Sequence, residues 1–228
     1  MGSTHAVIAE RQQQVLHDQK WFTFLHRARV FRHIPFIRFV FASGSMATGE
    51  VKPTSDFDVI VGCRYGRMFT ARFFLILTLD FLGWRRRNLD HHSAAAADTI
   101  CLNHFVTEKS LRLAPPQHGL WKTLYRSLVP IFGDQEPIVA FWKANEDWMG
   151  APRPYADDLR HSRQPISILK NSLERCLGGR AGDWFERFVR APQLRRIARK
   201  LAPLSGYKPR LHCDDTQLEL HLETRPGY

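Results

Sequence analysis

Two acidic residues separated by one apolar residue, Asp56 and Asp58, have the type and spacing that metal chemistry requires. They open a β-branched run, and in an extended chain both carboxylates lie on one face, about 6.6 Å apart along the strand. Phe57 between them then points into the core. Because carboxylate oxygens are hard ligands for Mg²⁺ and Mn²⁺, the spacing predicts a site for one or two divalent cations.

A glycine-serine turn precedes the aspartates. Residues 36–41 form a β-rich run that ends near Gly44 and Ser45, and such a turn supplies the close backbone approach and amide donors that a triphosphate needs. Lys52 and Ser55 lie just before the aspartates, where they would contact phosphate groups. We therefore predict that all four residues bind a nucleotide, although a solvated Lys52 is an equally good interpretation.

The elements that must position these residues indicate an α+β fold. Apolar residues at helical spacing predict one or two helices within residues 6–33. β-rich runs predict strands over 36–41, 56–62 and 99–106, and the first two are expected to lie side by side. A mostly buried helix is expected over 67–84.

The C-terminal half has a helical pattern and a β-hairpin at its end. The helical segments are 120–129, 138–142, 166–177 and 184–201. Alternating leucines after Asp214 and Asp215 predict the hairpin, with these two residues at its turn. We expect a mixed-sheet domain over residues 1–125 and a mainly helical, basic region over residues 126–228.

The motif around the aspartates resembles a known signature. It reads Gly44-Ser45, then Gly49, then Asp56-Phe57-Asp58. This order is similar to the signature of the DNA polymerase beta nucleotidyltransferase superfamily. Segments 100–105 and 218–221 also look like parts of uncharacterised bacterial nucleotidyltransferase-domain proteins.

The resemblance implies a function and a cofactor. Asp56 and Asp58 would hold Mg²⁺ or Mn²⁺, and Gly44 and Ser45 would bind the phosphates of a nucleoside triphosphate such as ATP. The protein would then transfer a nucleoside monophosphate to a hydroxyl acceptor. Members of the superfamily act on RNA, proteins and small antibiotics, so the acceptor stays open.

One position departs from the superfamily pattern. A third carboxylate usually lies on a later strand, but here the best-placed residue is Asn103, with Cys101 and Phe105 expected on the same face. An amide oxygen coordinates a cation but takes no proton at neutral pH. Asp98 and Glu108 fit the spacing less well.

The missing carboxylate leaves rival functions open. A nucleotide- or RNA-binding protein that has lost turnover is the first alternative, and an antitoxin-like partner that modifies another protein is the second. A third interpretation gives the aspartates no chemistry, with Asp56 in a turn and Asp58 solvated.

Charge is unevenly distributed along the chain. There are 33 Lys and Arg residues against 22 Asp and Glu residues, a net charge of +11, and residues 153–210 contribute +9 of it. This excess favours anionic partners such as phosphates or nucleic acid. Trp184, Phe185 and Phe188 lie among the arginines and would stack bases. The interpretation that we prefer from the sequence places these aromatic residues in the core.

Composition and hydropathy exclude several classes of protein. Hydrophobic residues make up 44% of the chain, which is typical of a globular domain. The four cysteines form no Cys-x-x-Cys pair, so neither a zinc site nor a disulfide framework is expected. The N-terminus lacks the pattern of a signal peptide, and the apolar stretch 73–79 is too short to span a bilayer. We expect a cytoplasmic protein without a membrane partner.

Overall fold

A six-stranded mixed sheet organises the chain in the computed structural model. The described residues are 2–87, 96–151, 154–155, 157–162, 165, 167–202 and 210–221. The strands are β1 (Ile37–Ala42), β2 (Phe57–Cys63), β3 (Ile100–Thr107), β4 (Val129–Gly133), β5 (Arg210–Cys213) and β6 (Gln217–His221). Helices connect and cover these strands, which confirms the α+β fold.

Seven α-helices are described. They are α1 (Gly2–Ala28), α2 (Gly44–Thr48), α3 (Met68–Phe81), α4 (Leu120–Arg126), α5 (Gln135–Met149), α6 (Ile168–Cys176) and α7 (Arg180–Leu201). A short 3₁₀ helix, Arg29–His33, follows α1. None of the described helices combines the length and apolar character that a membrane span requires.

The strand order is β4-β1-β2-β3-β6-β5. β1 is antiparallel to both β2 and β4, β2 is parallel to β3, and β3 is antiparallel to β6. The prediction that the first two strands lie side by side is therefore confirmed. β5 and β6 form the expected hairpin, with Asp214 accepting hydrogen bonds from the backbone amides of Thr216 and Gln217 at its turn.

Apolar side chains fill both faces of the sheet. On one face α1, α3 and α7 pack against the strands, and the rings of Phe24 and Phe57 lie 4.8 Å apart. On the other face α4 and α5 cover the strands, and Phe41 meets Phe141 at 4.9 Å. Aromatic pairs at these distances bury large apolar areas and stabilise both layers. Phe57 points into the core, as predicted.

Two features of the sheet differ from the sequence predictions. The helical segment expected up to residue 129 ends at Arg126, and Val129–Gly133 is the edge strand β4. Pro130 lacks an amide hydrogen, which an edge strand tolerates. β4, β5 and β6 join the same sheet as β1, so the boundary predicted at residues 125 and 126 does not coincide with a break in the sheet.

β3 contains an irregularity that changes which residues share a face. Its register with β2 shifts between Asp58 and Ile60. Leu102 and Phe105 therefore both lie in the core beneath α1 and α3. The prediction that Phe105 shares a face with Cys101 is wrong, because simple alternation does not account for the extra residue in this strand.

Candidate functional site

The aspartates lie where β1 and β2 approach the short helix α2. The backbone amide of Ser43, just after β1, donates a hydrogen bond of 3.0 Å to the carbonyl of Asp58. Asp56 immediately precedes β2 and is buried, and Asp58 is the second residue of that strand. Phe57 anchors the segment in the core, so the two carboxylates are held on either side of a fixed residue.

The carboxylates converge with one side chain from β3. Ligand atoms of Asp56, Asp58 and Cys101 all lie within 4.8 Å of one another. Cys101 is directly opposite Asp58 in the parallel pair of strands. We call Asp56 and Asp58 the aspartate pair; the convergence predicted from their spacing is present.

Gly44 packs against the aspartate pair. A Cβ atom at this position would lie 2.4 Å from Oδ2 of Asp58, which is far inside van der Waals contact, and the residue has a φ of +62°. Both facts favour glycine, since it has no Cβ and adopts positive φ without strain. The backbone of the glycine-serine turn is thereby in direct contact with the Asp58 carboxylate.

Arg86 contacts the aspartate pair, although the sequence pattern did not indicate it. Residues 84–86 run beside the start of β3, where the amide of Arg86 donates 3.0 Å to the carbonyl of Ile100. This places Nη1 of Arg86 2.5 Å from Oδ2 of Asp56 and 3.5 Å from Sγ of Cys101. The run of arginines at 85–87 was the only signal in the sequence, and it does not identify the partner.

The site has more negative than positive charge. Burial, followed by the negative charge of Asp56, raises the pKa of Asp58 to about 7, although Arg86 opposes this shift. Burial and the two carboxylates raise the pKa of Cys101 well above its usual range, so this residue remains a neutral thiol. Two carboxylates therefore share one guanidinium, and one of them holds a proton near neutral pH.

The other predicted nucleotide contacts lie beside the pair. Ser55 immediately precedes Asp56, and its hydroxyl accepts a hydrogen bond of 2.9 Å from the amide of Lys52, which fixes the turn. The Lys52 residue is exposed. Ser45 is half-buried in α2. Of the four residues predicted to bind the nucleotide, Gly44 is the one that the structure shows packed against Asp58.

The candidates for a third carboxylate are engaged elsewhere. Asp98 forms a 2.8 Å ion pair with Lys20, and Glu108 accepts 2.8 Å from the amide of Tyr65. Asn103 is half-buried on β3, and its side chain forms no hydrogen bond with another described residue. Cys101 is the β3 residue directly opposite Asp58, and its Sγ belongs to the group within 4.8 Å.

Arg72, on α3, is a cation whose contacts belong to the fold and not to the aspartate pair. Its Nη1 donates 2.7 Å to Oε1 of Gln193, and its guanidinium lies 5.8 Å from the ring centroid of Phe105. Burial lowers its pKa to about 10. Phe105 belongs to the core on the α7 side of the sheet. Ile60, which lies two residues after Asp58 and so on the same face, belongs to the core on the other side. The side chain therefore packs between α3 and α7.

The aspartate pair fits Mg²⁺ or Mn²⁺. Mg²⁺ is usually held by one or two carboxylates together with water and substrate phosphates, which matches the two oxygen donors here. The pKa of Asp58 is raised because burial and the charge of Asp56 disfavour its ionised form. A bound cation would favour the ionised form. The neutral Cys101 thiol is a soft donor and does not suit Mg²⁺.

A second polar group lies further along the sheet. We call it the Glu219 cluster, and it comprises His104, Tyr125, Arg210, Glu219 and His221. Arg210 and Glu219 are fully buried and paired through Nε and Oε1. The Tyr125 hydroxyl donates 2.8 Å to the same carboxylate oxygen, and Gln217 donates 3.0 Å to the other.

The electrostatics of the Glu219 cluster are opposite to those of the aspartate pair. Burial by itself would raise the pKa of Glu219, but His104, Arg210 and His221 outweigh it and lower the pKa to about 2. Burial lowers the pKa of His104 to about 4, so its ring is neutral at physiological pH. The carboxylate is therefore ionised and neutralised by a guanidinium within the fold.

Comparison with known proteins identifies no relative. No protein-family profile, curated protein or solved structure matches the chain. The resemblance to the nucleotidyltransferase superfamily therefore depends on the sequence motif and stays a prediction.

Proposed function

We propose that the protein is a metal-dependent nucleotidyltransferase that moves a nucleoside monophosphate from a nucleoside triphosphate to a hydroxyl acceptor. The convergence of Asp56 and Asp58 against the backbone of Gly44 carries this proposal. Two oxygen ligands beside a turn that tolerates no side chain suit a cation bridged to a triphosphate.

In this reaction each residue has a definite task. Asp56 and Asp58 bind Mg²⁺ or Mn²⁺, which when bound polarises the α-phosphate and favours the ionised acceptor hydroxyl. The absence of a side chain at Gly44 lets the Asp58 carboxylate lie against the turn whose backbone would receive the triphosphate. The acceptor hydroxyl gives its proton to solvent, and its oxygen bonds to the α-phosphorus. The bond between that phosphorus and the oxygen bridging to the β-phosphate breaks, and pyrophosphate leaves.

Transfer of label from α-³²P nucleoside triphosphates tests the proposal. Each of the four triphosphates is incubated with a bacterial extract and Mg²⁺ or Mn²⁺, using wild type, Asp58→Asn and the control Glu108→Gln. Asp58→Asn keeps the shape but removes a charged metal ligand, so label should move with wild type and Glu108→Gln only. Equal transfer by Asp58→Asn would contradict the proposal.

A nucleotide-binding protein without turnover is the second candidate. The ion pair between Arg86 and Asp56 favours it, because a guanidinium at 2.5 Å occupies one oxygen that a metal would use. A thiol, Cys101, also stands in the group where a third carboxylate would be expected. Under this alternative the protein binds a nucleoside triphosphate but releases no pyrophosphate.

Equilibrium binding separates the two candidates. A fluorescent ATP analogue is titrated with and without Mn²⁺, and pyrophosphate release is measured in the same samples. Binding with no release in any extract would favour the second candidate. Tighter Mn²⁺ binding by Arg86→Gln than by wild type would show in addition that the guanidinium competes with the cation.

A further inference from the structure

Two aromatic rings are exposed on the outward face of α7. Trp184 and Phe188 are each 61% exposed, and their rings stack with centroids 5.5 Å apart and planes at 11°. Burying such side chains would contribute several kcal/mol, so their exposure is a cost to the folded protein. Phe185 alone of the three aromatics packs inward, 5.6 Å from Phe73. The interpretation that placed all three in the core is wrong for Trp184 and Phe188.

Four arginines lie on the same face of the helix. With 3.6 residues per turn, positions 180, 184, 187, 188, 195 and 199 fall within about 120° of the helix circumference. The arginines at this face are Arg180, Arg187, Arg195 and Arg199, and all are exposed. None of them forms an ion pair with a residue that the structure describes. The stripe therefore combines stacked rings with uncompensated positive charge.

The acidic residues of α7 are used by the fold and do not neutralise this stripe. Asp183 pairs with Arg67 at 2.6 Å. Glu186 is buried, and its carboxylate accepts 2.9 Å and 2.7 Å from the amides of Phe69 and Thr70 at the start of α3. The inward arginine of the helix, Arg190, pairs with Asp215 at 2.6 Å.

We propose that this face of α7, the α7 stripe, binds single-stranded RNA. Its residues are Arg180, Trp184, Arg187, Phe188, Arg195 and Arg199. Guanidinium groups neutralise backbone phosphates, and exposed aromatic rings stack on unpaired bases. RNA is the nucleic acid whose bases are commonly unpaired in a cell, whereas duplex DNA hides its base faces.

The arrangement of the stripe does not suit a bilayer. A helix that lies in a membrane interface segregates its apolar residues on one face and its charges on the other. In α7 the position of Arg187 lies between those of Trp184 and Phe188 along the chain and on the same face. Rings and charges mixed on one surface match a chain of alternating bases and phosphates.

The α7 stripe is independent of the aspartate pair. Phe57 and Val59 lie in the core that α7 covers, so Asp58 between them points to the other face of the sheet. RNA binding at the stripe therefore does not rest on the proposed transferase function. Asp58→Asn should bind RNA as tightly as wild type.

Fluorescence anisotropy of the full chain with a labelled RNA oligomer tests the proposal. We expect Trp184→Leu/Phe188→Leu to weaken binding at least about tenfold, because leucine keeps apolar surface but cannot stack. Trp184→Phe should bind like wild type. The control is Phe81→Leu on α3, which changes a ring that is 88% exposed elsewhere.

The salt dependence of binding tests the arginines. Replacing Arg180, Arg187, Arg195 and Arg199 with Gln should reduce the slope of log affinity against log salt by about 3, at roughly 0.7 per phosphate contact for a single strand. Lack of RNA binding by wild type at low salt, or equal binding by the double leucine variant, would overturn the proposal. So would binding to phosphatidylserine vesicles in place of RNA.

Discussion

The aspartate pair and the Glu219 cluster lie on one sheet but balance their charges differently. β3 contributes to both, with Cys101 beside the aspartates and His104 beside Glu219. Glu219 has a dedicated guanidinium and a pKa of about 2, whereas Asp56 and Asp58 share Arg86, and the pKa of Asp58 is about 7. The fold satisfies one acidic group and leaves the other short of positive charge.

This difference separates a structural role from a functional one. When a buried carboxylate has a full set of partners, removing any one of them leaves an uncompensated buried charge, so the pairing fixes the surrounding fold. Two carboxylates with one counter-charge, one buried and one half-buried, reduce stability, and such an arrangement persists when a ligand supplies the missing charge. The Glu219 cluster therefore explains how β6 is attached to β3 and α4, and the aspartate pair is the better candidate for chemistry.

Glu219→Gln should have the largest effect on stability. The substitution leaves the Arg210 charge buried without its partner, and breaking a buried pair in this way costs about 3–5 kcal/mol. Urea denaturation measures the loss, with Asp147→Asn as the control because its partner Arg112 is exposed and the pair contributes little. A loss as small as that of the control would remove the distinction between the two clusters.

Asp58→Asn should increase the free energy of unfolding when no metal is present, by less than Glu219→Gln decreases it. It removes a carboxylate that burial and Asp56 destabilise, so we expect a gain of the order of 1–2 kcal/mol at pH 8, given about 1.4 kcal/mol per pKa unit and a discount for partial exposure. The gain is measured by urea denaturation in EDTA. A loss of stability would mean that the ionised Asp58 supports the fold.

The pH dependence of that gain has a definite sign. The folded pKa of Asp58, about 7, exceeds its ordinary value of 3.8, so the folded state binds more protons between these values. Wild type therefore becomes more stable as pH falls through about 7, and its deficit relative to Asp58→Asn shrinks. Glu219 behaves in the opposite way, because its contribution is present above about 4.5 and is lost as pH falls towards about 2.

The sequence predicted the aspartate pair because its determinants are local. Asp56, Phe57 and Asp58 alternate at the start of β2, and Gly44 opens the turn that follows β1, so period and turn chemistry were sufficient. The overall α+β class followed from the same kind of pattern. Local periodicity was sufficient to predict a contact when both of its residues lie in elements that are neighbours along the chain.

The remaining features depend on contacts that are distant in sequence. Arg86 reaches Asp56 because a loop after α3 runs beside β3, and Arg210 reaches Glu219 across a hairpin that docks on α4. Cys101 lies opposite Asp58, and the extra residue that follows it in β3 places Phe105 in the opposite core. Neither charge pairing nor a bulge leaves a periodic signal, so the sequence pattern indicated neither the Arg86–Asp56 pair nor the change of face after Cys101.

Asn103→Asp should have the smallest effect, and it tests the choice between residues 101 and 103. At Mn²⁺ concentrations ten times the Kd, metal binding should stabilise wild type by about 1.4 kcal/mol and Asp58→Asn by much less. Because Cys101, and not Asn103, lies directly opposite Asp58 in the paired strands, we expect a carboxylate added at residue 103 to change this stabilisation by less than about 0.5 kcal/mol. An increase of about 1.4 kcal/mol, or tenfold tighter metal binding, would instead make residue 103 the third ligand position.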